Sequence, residues 1–133
     1  MELLQRAEGF GLVRQGQHAA ISTLHGPLAA RVLPDRWPDL PDHVLQAIDR
    51  HTTGAPGMTR FDCLIYVSDL IEPGRTFDGV EELRAVAERD LAQACLQGME
   101  QGIADLMRRG KLIESRTIDA RNDLLLRLRG EVL

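Results

Sequence analysis

Three side chains in this sequence could meet around a cation. His25 stands in LHGP, His51 in RHTTG and Asp69 in LIYVSDLI. Each of these histidines falls at an expected helix boundary beside small or turn-forming residues. A neutral imidazole there leaves room for a cation or a phosphate, and histidine is the commonest metal ligand. Asp69 is a single carboxylate in a mostly apolar run, with Ile65 one turn earlier on the same face. If buried and ionised it needs a partner, a proton or a bound cation. Plainer roles stay open: a helix cap or surface position for each histidine, and for Asp69 a solvent edge where Arg75 pairs with it. No HExxH or similar local metal motif is present. His18 and His43 lack a comparable setting and read as surface residues.

The elements that must position these groups are helices. Phe10, Trp37, Phe61, Tyr66 and Phe77 are the whole aromatic complement, so the core falls to Leu, Ile, Val and Ala, a composition that favours helix over sheet. Periodicity predicts helices over 2–9, over 26–33 with Pro27 in the first turn, and over 42–52 with Asp39 or Asp42 as cap. Residues 14–24 read as a loop with a turn of helix, and the proline-rich 34–41 as a connector. Thr59 and Asp62 form a variant capping box opening a helix over 60–71, which Pro73-Gly74 stops. Further helices are expected over 80–88 and 91–109, the latter burying Leu91, Ala94, Cys95, Met99, Ile103, Leu106 and Met107. Ser115 is the expected cap of a last helix over 116–129. The fold class is all-α, in one domain over residues 1–133.

A net charge of −4 leaves no basic field for polymeric nucleic acid, although a small phosphorylated ligand needs only a few local cations. The clusters MRRGK (107–111) and RLRG (127–130) sit near helix ends, where they complement the negative end of a helix dipole. Cys63 and Cys95 show no metal-finger spacing and fit reduced thiols of a cytoplasmic protein. MELLQRAEGFG has no apolar signal core, and no window is long enough to span a bilayer, so no membrane partner is expected.

Three strings then carry a resemblance: HGPLAARVL, AIDRHTTGAPGMTRFDCLIYVSDLIEPGRTFDGVEELR and RRGKLIESRTIDARN. They resemble the YqeK-type HD-domain phosphohydrolases, symmetrical diadenosine tetraphosphate hydrolases of bacteria. That family holds two iron ions in a helical bundle with one early His, a His-Asp pair, two later His and a final Asp. By motif, the resemblance implies that His25, His51 and Asp69 ligate metal, with iron as the cofactor and manganese as a substitute. It implies that Thr52 lies beside bound nucleotide and Arg75 near the substrate phosphates, where a guanidinium suits a phosphate. The loop Leu112, Ile113, Glu114, Ser115, Arg116 and Thr117 would lie along the nucleotide. For Ser115 a plain N-cap role stays equally open.

One departure is large. This chain contains no His-Asp dipeptide, and the family's early ligands would lie upstream of MELLQRAEGFGL. The resemblance therefore implies an HD-domain-like helical bundle, N-terminally incomplete, with residues 1–133 as its C-terminal portion; a start codon assigned too late is the favoured reason. The complete domain is expected to hydrolyse diadenosine tetraphosphate to two ADP, with a dinucleoside polyphosphate or ADP as partner and a homodimer among its states. These residues alone are expected to be inactive and, with apolar surface uncovered, to self-associate. Two other readings remain: a non-catalytic helical interaction module, and an HD-type hydrolase of another nucleotide.

Overall fold

Residues 2–12 and 21–130 are described by a computed structural model of the chain, and the regular elements among them are all helical. In chain order they are α1 (Glu2–Gly9), a 3-10 turn (Ile21–Thr23), α2 (His25–Arg36), α3 (Asp42–Arg50), α4 (Arg60–Ile71), α5 (Val80–Arg89), α6 (Leu91–Arg108) and α7 (Ser115–Leu128). The all-α expectation holds. His18 and most of the expected 14–24 loop lie outside the described residues.

Local chemistry accounts for several helix ends. Thr59 Oγ1 accepts the Asp62 amide at 3.0 Å, and the Asp62 carboxylate accepts the Thr59 amide at 3.0 Å, a reciprocal box that starts α4. Asp90 caps α6 by accepting the Gln93 amide at 3.0 Å. Three expectations need correction. α2 runs through Pro34 to Arg36, because a proline this close to the helix end forfeits a single backbone bond, and the Trp37 amide still reaches the Leu33 carbonyl at 2.8 Å. Neither Asp39 nor Asp42 caps α3; Pro41 precedes it, and Asp42 is its first residue, where a negative charge suits the dipole. Ser115 does not cap α7 either: Glu114 holds that position, with no side-chain cap bond.

α6 is the axis of the packing, lying against α4, α5 and α7, while α2 packs on α3 and α3 on α4. The core around it is built by Met58, Cys63, Tyr66, Val67, Leu83, Val86, Ala94, Cys95, Leu96, Met99, Ala120 and Leu124. Ala7 and Leu24 form a smaller cluster with Leu3, Leu4 and Leu12. The expected buried face of α6 holds only over its first half. Ile103 and Leu106 are half-buried and Met107 is 67% exposed, because the last turns leave the core and wall a cavity. Phe10, Trp37, Leu64 and Leu112 are also exposed, the kind of apolar surface from which self-association is expected.

The basic clusters are held by ion pairs rather than by helix dipoles alone. Arg108 and Arg109 both pair with Asp105 one turn earlier. Arg127 pairs with Asp123 at 3.2 Å and donates to the Met58 carbonyl at 3.1 Å. No helix among the described residues is long and apolar enough to cross a membrane.

Candidate functional site

His25 opens α2 and His51 follows the last residue of α3. The His25 Nδ1–H donates to the Ser22 carbonyl at 2.9 Å, and the His51 Nδ1–H donates to the Ile48 carbonyl at 2.6 Å. A carbonyl can only accept, so both rings carry a proton on Nδ1 and present Nε2 outward. The two Nε2 atoms face each other at 3.0 Å, the rings meeting edge-on with centroids 4.9 Å apart. The Thr52 hydroxyl stands 3.2 Å from His25 Nε2. Two imine lone pairs aimed at one spot repel unless a proton or a cation lies between them. A histidine anchored through Nδ1 to a carbonyl with Nε2 free is also how metal-ligating histidines are oriented. The donor set therefore fits a transition-metal cation.

The helices can bring these rings together because of Gly26. A Cβ there would lie 2.7 Å from the Ile48 carbonyl oxygen and 3.1 Å from His51 Nδ1. Reading the sequence for ligands passed over Gly26, although a glycine in the first turn of a helix is itself a signal of close approach. Gly26→Ala is expected to push α2 off α3 and to destabilise the protein by about 1–3 kcal/mol, as overpacking does. An unchanged urea midpoint would show that this contact is not tight.

The loop after His51 is equally constrained. Gly54 has φ +69°, and a Cβ there would lie 2.4 Å from Met99 Cε, so the glycine of HTTG serves both backbone and packing. The loop is tied down at both ends. Asp62 Oδ2 accepts Gln46 Nε2 at 2.9 Å and Arg50 Nη1 at 3.0 Å, and Asp123 accepts the Gly57 amide at 2.9 Å. Arg116 grips Asp49 through two hydrogen bonds, at 2.6 and 3.2 Å, fixing the start of α7 beside the end of α3.

Next to Thr52 opens a cavity of about 450 Å³, within the size range of small-molecule sites. Tyr66, Met99, Ile103 and Leu106 give it an apolar floor, and Arg109, Lys111 and Glu114 a charged rim. Burial pushes the Tyr66 hydroxyl well above its usual range, so it stays neutral. Of the residues expected along a nucleotide, Thr52, Leu112, Glu114 and Thr117 line this cavity; Ile113 and Ser115 do not, and Arg116 is committed to Asp49.

Asp69 does not join the histidines. It is half-exposed on α4, with Arg75 Nη2 at 3.6 Å from its carboxylate and Arg75 Nε donating to its carbonyl at 3.1 Å. Among the described residues no three His, Cys, Asp or Glu side chains gather closely enough to hold a metal. Arg75 lies outside the cavity, 3.7 Å from Glu72 as well. His43 packs its ring on Phe61, with centroids 5.2 Å apart.

No family model matches the sequence. Over 87 residues the chain is 40% identical to the symmetrical bis(5'-nucleosyl)-tetraphosphatase of Bacillus subtilis (strain 168), covering 65% of this chain and 47% of that protein. It is 37% identical over 103 residues to the protein of the same name from Halalkalibacterium halodurans, covering 77% of this chain and 55% of that one. The chain thus spans about half the length of the curated relatives it matches. A solved structure from Clostridium acetobutylicum, described as a predicted HD superfamily hydrolase involved in NAD metabolism, aligns with a TM-score of 0.79 and 32% identity, covering 95% of this chain and 67% of that one. The chain belongs to the YqeK-type HD-domain hydrolase family. In this HD domain the paired imidazoles and the cavity share one face, with Thr52 touching both.

Proposed function

We propose that this HD domain serves a metal-dependent nucleotide phosphohydrolase of the cytoplasm that splits diadenosine tetraphosphate symmetrically into two ADP. The observation that carries the reading is the approach of His25 Nε2 and His51 Nε2 to 3.0 Å beside a cavity of about 450 Å³. These two residues would hold iron, or manganese in its place. The family motif makes Asp69 the third ligand we assign; it stands apart from the two histidines, and its carboxylate would have to leave Arg75 to reach a shared cation. Its contact with Arg75 joins two half-exposed groups at 3.6 Å, an ion pair worth roughly 0–1 kcal/mol that a divalent cation can outcompete. When bound, such a metal supplies a water of lowered pKa and polarises phosphoryl oxygens.

The chain's own residues do the rest. Released from Asp69, Arg75 keeps a half-exposed pair with Glu72 at 3.7 Å, a contact weak enough to exchange for the phosphates, where a fork of N–H donors matches their oxygens. Lys111 and Arg109 add positive charge at the cavity rim, and Thr52 offers a hydroxyl at the junction between imidazoles and cavity. Leu112, Met99 and Tyr66 provide apolar surface for a base, while Glu114 and Thr117 supply acceptors and a donor for its edge or the ribose. Ile113, Ser115 and Arg116 frame the same loop from outside, Arg116 by holding α7 to α3.

Product analysis tests this reading. With diadenosine tetraphosphate and manganese, ADP is the expected sole product, whereas AMP with ATP would overturn symmetric cleavage. The rate of these 133 residues is expected to be low, because two histidines and one carboxylate are a partial ligand set beside that implied by the family. Failure to bind either manganese or ADP in calorimetry would favour the non-catalytic interaction module instead.

A further inference from the structure

Tyr66 on α4 is buried, with 6% of its surface exposed, yet no described residue shares a hydrogen bond with its hydroxyl. Buried phenols ordinarily find a partner, and one without a partner needs a reason. The fully enclosed side-chain atoms that lack one among the described residues are Arg50 Nε, Asp62 Oδ1 and Gln101 Oε1. The Tyr66 hydroxyl is not among them: it keeps an opening, and the space that Tyr66 lines is the cavity beside Thr52. Packing holds the ring in place. It lies against α6 at Gly98, where a Cβ would stand 3.8 Å from Tyr66 Cε1, and Met99, Ile103 and Leu106 of the same helix complete the floor. Burial keeps the phenol neutral, so its proton stays available to donate.

We propose that the Tyr66 hydroxyl is a specificity-determining donor of this cavity, hydrogen-bonding an acceptor on the nucleoside part of the ligand. The proposal rests on the nucleotide reading of the cavity and assigns which end of the nucleotide enters it. Positive charge stands at the rim, on Arg109 and Lys111, and the imidazoles lie beyond Thr52, whereas the floor is apolar. A phosphate on that floor would give up its water without meeting a cation, which is costly. The phosphates therefore stay at the rim, and the neutral base and ribose reach Tyr66. Ring nitrogens and ribose hydroxyls both accept hydrogen bonds, so a nucleoside satisfies the phenol. An apolar group of the same size would leave it unpaired, and an unpaired polar group is what makes a site reject the wrong ligand. Without ligand the hydroxyl bonds to no described side chain or backbone group, so the fold gains nothing from it.

Tyr66→Phe tests the proposal with two readouts. In urea unfolding the variant is expected to show a midpoint equal to or above that of the wild type, because no internal bond is lost. A lower midpoint would reveal an internal partner for the hydroxyl and overturn the proposal. In calorimetry with ADP, and with adenosine competing for it, both ligands are expected to bind the variant about 5-fold more weakly, the size of one neutral hydrogen bond. A loss for ADP with none for adenosine would move the contact to the phosphates and overturn the assignment. Wild-type protein that binds neither ligand removes the nucleotide reading itself, and this proposal with it. Wild type and variant that bind both ligands equally well leave that reading standing and remove only the role of Tyr66.

Discussion

Replacing Asp62 with alanine is expected to lower the free energy of unfolding by about 3 kcal/mol, the lower end of the range for breaking a buried ion pair. The Asp62 side chain is fully enclosed, and its Oδ2 accepts three donors: Gln46 Nε2 at 2.9 Å, Arg50 Nη1 at 3.0 Å and the Thr59 amide at 3.0 Å. Alanine would strand those donors in the corner between α3 and α4 while also removing half of the capping box. The lower end applies because Arg50 keeps 20% of its side chain in solvent and a second acceptor, the Gly57 carbonyl at 3.3 Å. Urea unfolding with an unchanged m-value reads the loss directly. A change under about 1 kcal/mol, the size of a single ordinary hydrogen bond, would mean that the three bonds do not act as one anchor. Because Arg50 immediately precedes His51, loosening this corner should also disturb the imidazole pair.

His51→Ala is expected to weaken manganese binding by at least about 100-fold. That is the upper range for losing a residue that merely orients a metal ligand, and here the ligand itself goes. Calorimetric titration measures it. His51 is half-buried at a helix end, so the same change should leave most of the stability in place. His43→Ala is the matched control: its ring contacts Phe61, apart from the histidine pair, and its removal should leave manganese affinity unchanged. Equal affinity in the His51→Ala protein would detach metal binding from this pair and return the domain to a purely structural role.

Much of the fold was legible from residue order. The helices, the Thr59–Asp62 box and the stop at Pro73 follow from interactions reaching no more than one helical turn, which a sequence displays directly. Where expectations slipped, a local rule had several solutions. Asp39, Asp42 and Ser115 are all competent caps, yet Pro41 and Glu114 took those positions once the chain direction was set by packing. The half-exposed end of α6 belongs to the same class, since periodicity shows which face is apolar but not where its neighbours end.

The candidate site divides along the same line. Residue types singled out His25 and His51, the family resemblance added Thr52, and the structure brings all three within hydrogen-bond reach. The spacing between His25 and His51 carries no such information. Their meeting depends on how closely α2 approaches α3, and that distance rests on the missing side chain of Gly26. Asp69 shows the same limit: its apolar setting left open a buried carboxylate or a solvent edge paired with Arg75, and the packing of α4 decided for the surface beside Arg75. Sequence alone determined which helices form and which side chains have the chemistry to bind a cation, because both are properties of short stretches. Only the tertiary structure decided which of those side chains face one another, because that is settled by contacts between residues far apart in the chain.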